Sequence, residues 1–288
     1  MHTKKGLRPG VALLAILMAT GSTAALAGER NDCAGGQGTG RNRLDVVALT
    51  ADGQLLCFDE RRPRRAREIG YVNGLTGGDT SLIGIDFRVQ TGALYGVGNA
   101  GGVYVLDTSN ATATLISRLT VALSGQTFGV DFNPAADRLR VVSDNGQDLR
   151  HNINAGGTTI EDGLLNYVAG TPAAGITAAA YTNNDLDATT ATTLFDLDST
   201  LDQIAIQSPP NNGSLVATGK LNEDTGAPAG FDIYSFVYQG RTYANRALGV
   251  LNVGGETCLY RIDLLTGNAT YAGSFSANVV DLAIPLNQ

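Results

Sequence analysis

From residue 44 onward, apolar and polar side chains alternate in short runs of five or six, separated by turns rich in Gly, Asn, Asp and Thr. Alternation at period two marks half-buried strands, and after the leader no stretch keeps the 3.6-residue period of an amphipathic helix. Three runs can be laid over one another: Leu82-Ile-Gly-Ile-Asp-Phe87, Thr127-Phe-Gly-Val-Asp-Phe132 and Val279-Val-Asp-Leu-Ala-Ile284. Two more fit loosely, Ile176-Thr-Ala-Ala-Ala-Tyr181 and Ile233-Tyr-Ser-Phe-Val-Tyr238. The matching positions are Asp86, Asp131, Ala180, Val237 and Asp281, spaced by 45, 49, 57 and 44 residues. A four-stranded propeller blade occupies about 40–50 residues.

Each run opens a set of four strands. Residues 93–97 and 138–142 read as second strands, 102–107 and 258–263 as third strands, and 113–117 and 269–273 as fourth strands. The chain itself starts mid-set: residues 44–49, 54–59 and 68–72 look like strands two, three and four with no first strand before them. The missing strand is residues 279–284 at the other end. Joining it to the N-terminal three predicts an all-β, five-bladed β-propeller closed by its C-terminal strand, which removes the free edges at the seam. The rival is a sandwich of β-hairpins. Residues 44–288 then form a single propeller domain, 28–43 a Gly-rich flexible lead-in, and 183–192 an insertion inside the fourth blade.

The first 27 residues change the picture of where the chain works. Lys4, Lys5 and Arg8 precede an apolar run over 11–18, and Ala25-Leu26-Ala27 gives the small-x-small pattern of signal peptidase cleavage. Spanning a bilayer takes about 20 apolar residues, so this run reads as a secretory signal peptide and the mature chain is expected to carry no membrane span. The protein is predicted to be exported, to a periplasm or beyond the cell. Cys33, Cys57 and Cys258 follow the leader, and an oxidising compartment predicts one disulfide among three pairings, with one thiol left over.

Removing the leader leaves a net charge of (20 − 3) − 27 = −10 and a single lysine, Lys220. Such a chain is a poor partner for nucleic acid, where phosphate neutralisation dominates affinity. The mature chain has one histidine, His151, which excludes metal sites built on two histidines and leaves one place for a Ser-His-Asp triad.

The segment Val130-Asp-Phe-Asn-Pro-Ala-Ala-Asp-Arg-Leu-Arg-Val-Val-Ser-Asp-Asn-Gly-Gln-Asp-Leu-Arg150 resembles the bacterial family known as domain of unknown function 4394. Gly175-Ile-Thr-Ala-Ala-Ala-Tyr-Thr-Asn183, Thr193-Leu-Phe-Asp-Leu-Asp198 and Gln207-Ser-Pro-Pro-Asn-Asn-Gly213 look like the same family. The resemblance implies an exported, repeat-type β protein, and it brings no activity and no catalytic residue.

Candidate chemistry is confined to polar groups. Side chains alternate along a strand, so Asp86, Asp131 and Asp281 project together from first strands, which line a propeller's central channel. Three carboxylates there would raise one another's pKa, attract a cation such as Ca²⁺, or bond a neighbouring blade. Arg138 and Arg140 share one face of their strand and could fork onto carboxylates of a ligand or of the protein, the Asp column included. His151 reads as a surface or satisfied histidine rather than a general base. Glu60-Arg-Arg-Pro-Arg-Arg-Ala-Arg-Glu68 reads as a solvated turn that could also touch a polyanion, and Asp196, Asp198 and Asp202 as turn chemistry or an irregular Ca²⁺ loop. Together these predict a non-catalytic binding scaffold for a small molecule, glycan or protein. The alternatives are a carboxylate-based glycoside hydrolase or lyase at the channel, and an envelope-structural scaffold.

Overall fold

The computed structural model describes Met1, His2, Cys33, residues 43–286 and Gln288, so almost all of the leader assigned to 1–27 and of the lead-in assigned to 28–43 lies outside the described residues. The chain runs β1 (Asp45–Thr50), β2 (Gln54–Asp59) and β3 (Arg67–Tyr71), followed by blade two, β4 (Leu82–Phe87), β5 (Leu94–Gly98), β6 (Gly102–Leu106) and β7 (Ala113–Arg118). Blade three is β8 (Phe128–Asn133), β9 (Arg138–Ser143), β10 (Asp148–His151) and β11 (Thr159–Glu161). Blade four is β12 (Ile176–Tyr181), β13 (Leu194–Asp198), β14 (Gln203–Gln207) and β15 (Leu215–Lys220). Blade five is β16 (Thr225–Tyr238), β17 (Arg241–Val253), β18 (Glu256–Ile262) and β19 (Ala269–Ser274), and β20 (Val279–Ala283) comes last.

Strand β20 is hydrogen-bonded to β1, so blade one is β20-β1-β2-β3 and the chain forms five antiparallel four-stranded sheets. The five-bladed propeller predicted from the repeats is the fold observed. Closure pairs Val47 with Ala283, Ala48 with Leu282 and Leu49 with Asp281. Gln288 extends it: its side-chain oxygen accepts from Asp45 N–H (2.6 Å) and its amide donates to Asp45 C=O (2.9 Å).

The core lies between blades. Phe195, Leu197 and Ile204 of blade four pack against Phe231, Ile233 and Leu251 of blade five, and Val47, Leu49 and Leu55 of blade one against Ile85, Leu94 and Tyr104 of blade two. Before three of the four axial aspartates, at Gly84, Gly129 and Gly230, close approach of the inner strands requires a residue with no side chain. A Cβ at Gly129 would lie 2.5 Å from Ala179 N, and one at Gly230 would lie 2.6 Å from Asp281 Cα.

The structure corrects two sequence assignments. The repeat marker of blade five is Asp232 in Gly230-Phe-Asp-Ile233, not Val237, which makes the spacings 45, 49, 52 and 49. The misregister arises because β16 is 14 residues long and stays apolar past the ring, so the wrong part of it imitates a first strand. Asp196 and Asp198, assigned to a turn, are fully buried on β13, and only the stretch after Asp198 turns. Among the three open cysteine pairings the structure has Cys33–Cys57, while Cys258 is unlinked and burial pushes its thiol pKa up. Such a disulfide fits an exported protein. Among the described residues, no helix is long and apolar enough to cross a membrane.

Candidate functional site

The inner strands bring Asp86, Asp131 and Asp281 to the axis as expected, and they add Asp232. One oxygen each of Asp86, Asp131 and Asp232 lies within 4.8 Å of the others. Each carboxylate clasps the next blade. Ile85 N–H donates to Asp281 (2.8 Å), Phe132 N–H to Asp86 (2.7 Å), Tyr181 N–H to Asp131 (3.2 Å) and Ile284 N–H to Asp232 (2.6 Å). Asp86 and Asp281 also accept from the residue that follows them on their own strand, at 2.6 and 2.9 Å. Ala180 occupies the corresponding place on β12, so blade four sends no axial carboxylate to blade five, and near the axis Asn184 bridges the two instead, its amide donating to Ile233 C=O (3.0 Å).

Burial is the main force on these groups. It raises Asp86 and Asp131 well above the usual carboxylate range, with their neighbouring aspartates adding to the shift. Asp232 is pushed up to about 6 and Asp281 to about 8, each opposed by its backbone hydrogen bonds. Asp196 is the extreme case: it is fully buried, neither carboxyl oxygen has a hydrogen-bond partner among the described residues, and its pKa is raised well above normal by desolvation. These carboxyls hold protons in the folded chain at pH values where the unfolded chain, with pKa near 3.9, has released them. Their contribution to stability is therefore full below about pH 4 and is lost progressively as pH rises from there to each folded value.

The expected result is a melting temperature that declines from pH 5 to pH 8, with the Asp281→Asn variant showing a shallower decline between pH 6 and 8. Thermal melts read by circular dichroism check this; a melting temperature that climbs over the same range and drops with a chelator would instead identify bound Ca²⁺. Three oxygens are at most half of the six to eight that Ca²⁺ takes, and the clasping N–H groups already use much of their capacity.

The two arginines part company. Arg140 is 1% exposed and bonds Asp148 and Asp162 (2.8 Å) of its own blade, then reaches blade four through Tyr181 Oη (3.2 Å) and Asn211 (3.1 Å). It thus ties blades three and four together through Tyr181 and Asn211, and its carboxylate partners are Asp148 and Asp162 rather than the Asp column. Arg138 turns outward and bonds the carbonyls of Ala136 and Asp137, lining a hollow of about 210 Å³ with Arg150. His151 is buried between the hydroxyls of Ser117 (2.8 Å) and Thr159 (3.0 Å), and burial lowers its pKa.

The feature that the sequence did not announce is the hairpin of β16 and β17. Phe236 pairs with Ala244 and Tyr238 with Arg241, well past the axial Asp232. Its two-residue tip, Gln239 and Gly240, has positive φ at both positions (52° and 80°), the tight primed turn that suits strand twist. The insertion at 183–192 braces one flank: Thr242 N–H donates to Asp185 (2.8 Å), Asn245 donates to Asn183 (2.9 Å) and Arg241 pairs with Asp187 (3.1 Å). On the other flank Arg246 stands 5.0 Å over the Phe236 ring and pairs with the buried Glu60 of blade one at 2.7 Å. Tyr234, Phe236 and Tyr243 form a ladder with centroids 4.9 and 6.1 Å apart, while Tyr238 and Tyr243 are 69% and 70% exposed. The acidic-flanked loop 60–68 joins this surface. Glu60 is not solvated as its place beside a run of arginines suggested; Arg246 and Arg261 hold it from blade five.

The chain is similar to several solved structures. One is a protein of unknown function from Bacteroides thetaiotaomicron (14% identity, TM-score 0.45, covering 86% of this chain and 68% of that one). Another is an auxiliary nutrient binding protein from Bacteroides ovatus (12% identity, TM-score 0.39, 77% of this chain and 57% of that one). A third is the hydrazine synthase of Kuenenia stuttgartiensis (14% identity, TM-score 0.38, 73% of this chain and 53% of that one). No curated protein matches the chain. The family model described as Domain of unknown function (DUF4394) matches residues 54–283, which run from β2 of the first blade to the closing strand β20, and the chain belongs to that family.

Proposed function

We propose that the protein is an exported, non-catalytic propeller that binds a glycan on the end face carrying the β16–β17 hairpin. The observation that carries this reading is the pair of exposed tyrosines, Tyr238 and Tyr243, on a hairpin braced from both neighbouring blades. Tyrosine combines a large apolar face with a hydroxyl and loses little rotamer freedom on binding, so fixed tyrosines make ready stacking platforms for sugar rings. Asn183, Asn245 and Arg241 beside them supply donors and acceptors for hydroxyl groups. A small-molecule or protein ligand would draw on the same face.

The hydrolase reading asks for one carboxyl as acid and a second as nucleophile or base. The axial aspartates are instead spent on clasping backbone N–H groups of adjacent blades, which supports a structural role for them. Affinity electrophoresis of the mature protein through gels holding a panel of soluble neutral and anionic polysaccharides tests the proposal. Retardation by at least one glycan is expected, weakened about tenfold in Tyr238→Ala/Tyr243→Ala, with the surface change leaving stability within about 0.5 kcal/mol. Retardation unchanged in the double variant removes the hairpin from the site, and release of reducing ends from any panel member would establish hydrolysis.

A further inference from the structure

Beside the hairpin, the loop between β2 and β3 concentrates positive charge on an otherwise acidic molecule. Its 3-10 turn, Pro63–Arg65, is pinned rather than loose. Pro63 is buried so close to β19 that a Cβ at Gly273 would come within 2.6 Å of its ring, and Phe58 meets Phe275 edge to face at 5.1 Å. Glu60 anchors the start of the loop through Arg246 and Arg261. The fixed turn displays Arg62, Arg64 and Arg65 as exposed side chains, and none of the three forms an ion pair among the described residues. A hollow of about 170 Å³ opens beneath them, lined by Arg43, Arg62, Arg65 and Arg67 with Asp45 and Asp59. Among the described lining residues, four guanidinium groups stand against two carboxylates, a formal balance of 4 − 2 = +2. Arg43 pairs with both carboxylates at 3.7 Å, so Arg62 and Arg65 have charge to spare.

We propose that this hollow recognises a negatively charged substituent, a carboxylate or a sulfate, on the polysaccharide held by the hairpin face. The inference rests on the glycan reading above and names its ligand class. Guanidinium forks match carboxylate and sulfate geometry with paired hydrogen bonds. The hollow is a discrete site, which suits individual carboxylate or sulfate groups carried along a sugar chain. A duplex with a phosphate charge per ~1.7 Å of axis would lay its remaining charges along an acidic protein. A bilayer surface calls for apolar side chains to insert beside the cations, and the turn's own apolar residue, Pro63, is buried.

The test uses the mature protein against polygalacturonate, dextran sulfate, neutral dextran, duplex DNA and vesicles containing phosphatidylglycerol, at physiological salt. Variants are Arg62→Ser/Arg65→Ser and, as a control making the same net charge change on blade four, Lys220→Glu. Binding to polygalacturonate or dextran sulfate is expected to be at least tenfold tighter than to neutral dextran, and the polymer preferred assigns carboxylate or sulfate. The double variant should lose about tenfold in that affinity, as expected for one charged hydrogen-bonding contact, with Lys220→Glu within twofold of wild type. Equal losses in both variants, no loss in the double variant, no binding to either anionic polysaccharide, or equal or tighter binding to DNA or vesicles each overturns the proposal. If neutral dextran is bound as tightly as the anionic polymers and Tyr238→Ala/Tyr243→Ala abolishes it, the glycan reading stands while the charge preference falls.

Discussion

A chain ending at residue 275 is expected to accumulate as unfolded or insoluble material. The deletion takes β20 out of blade one and leaves β1 with a bare edge on the channel side. It also removes buried Val279, Leu282 and Ile284, each worth about 1.5–3 kcal/mol when buried. Two of the four axial clasps go with it, because Asp281 holds Ile85 and Asp232 holds Ile284. The loss is comparable with the entire net stability of a domain, about 5–15 kcal/mol. Soluble yield and a circular dichroism melt decide the matter; a truncated protein that melts cooperatively near the full-length temperature would show that the ring does not need its seam.

Adding one methyl group at Gly129 should be strongly damaging to the packing of the inner strands. The added Cβ would meet the backbone of Ala178 and Ala179 at 2.5–2.7 Å, and those atoms belong to β12, whose position is fixed by its ladder to β13. Relief requires two inner strands to separate, which would lengthen the Tyr181–Asp131 clasp. We expect Gly129→Ala to cost about 3 kcal/mol, the upper part of the usual range for overpacking. For a domain of this size that lowers the melting temperature by roughly 6–12 °C. Gly226→Ala on β16 is the matched control, since its Cβ would have only Asn252 O near it, at 3.9 Å. Equal melting temperatures for the two variants would refute the close-packing argument.

The architecture was legible because this propeller writes itself twice in the sequence: once as period-two alternation, and again as an Asp-apolar signature in the first strands of four blades, three of them with Gly two positions before the Asp. Both survive in Gly84-Ile-Asp-Phe87 and Gly129-Val-Asp-Phe132, and closure could be inferred from the signature's displacement to the C-terminus. The same signature in Gly230-Phe-Asp-Ile233 would have found Asp232, but apolar residues further along β16 offered a rival register. Burial was harder to read. Asp196 alternates with Phe195 and Leu197 as a solvent-facing residue would, yet its face of the strand meets blade three, so polarity pointed outward where topology points inward. Arg140 was readable as an arginine that forks onto carboxylates, but which ones was not, because Asp148 and Asp162 reach it through pairing within blade three that spacing alone does not specify. The end-face hairpin showed only as that rival register: its length depends on two strands staying paired beyond the ring, which alternation alone does not reveal.

The seam at β20 also sets a clock on synthesis. From the end of β1 at Thr50 to Val279 the ribosome must add 229 residues, which at about 5–20 residues per second takes roughly 10–45 s. Throughout that interval the N-terminal strands wait without the neighbour that completes their blade, and the ring can close only once nearly the whole chain has been made.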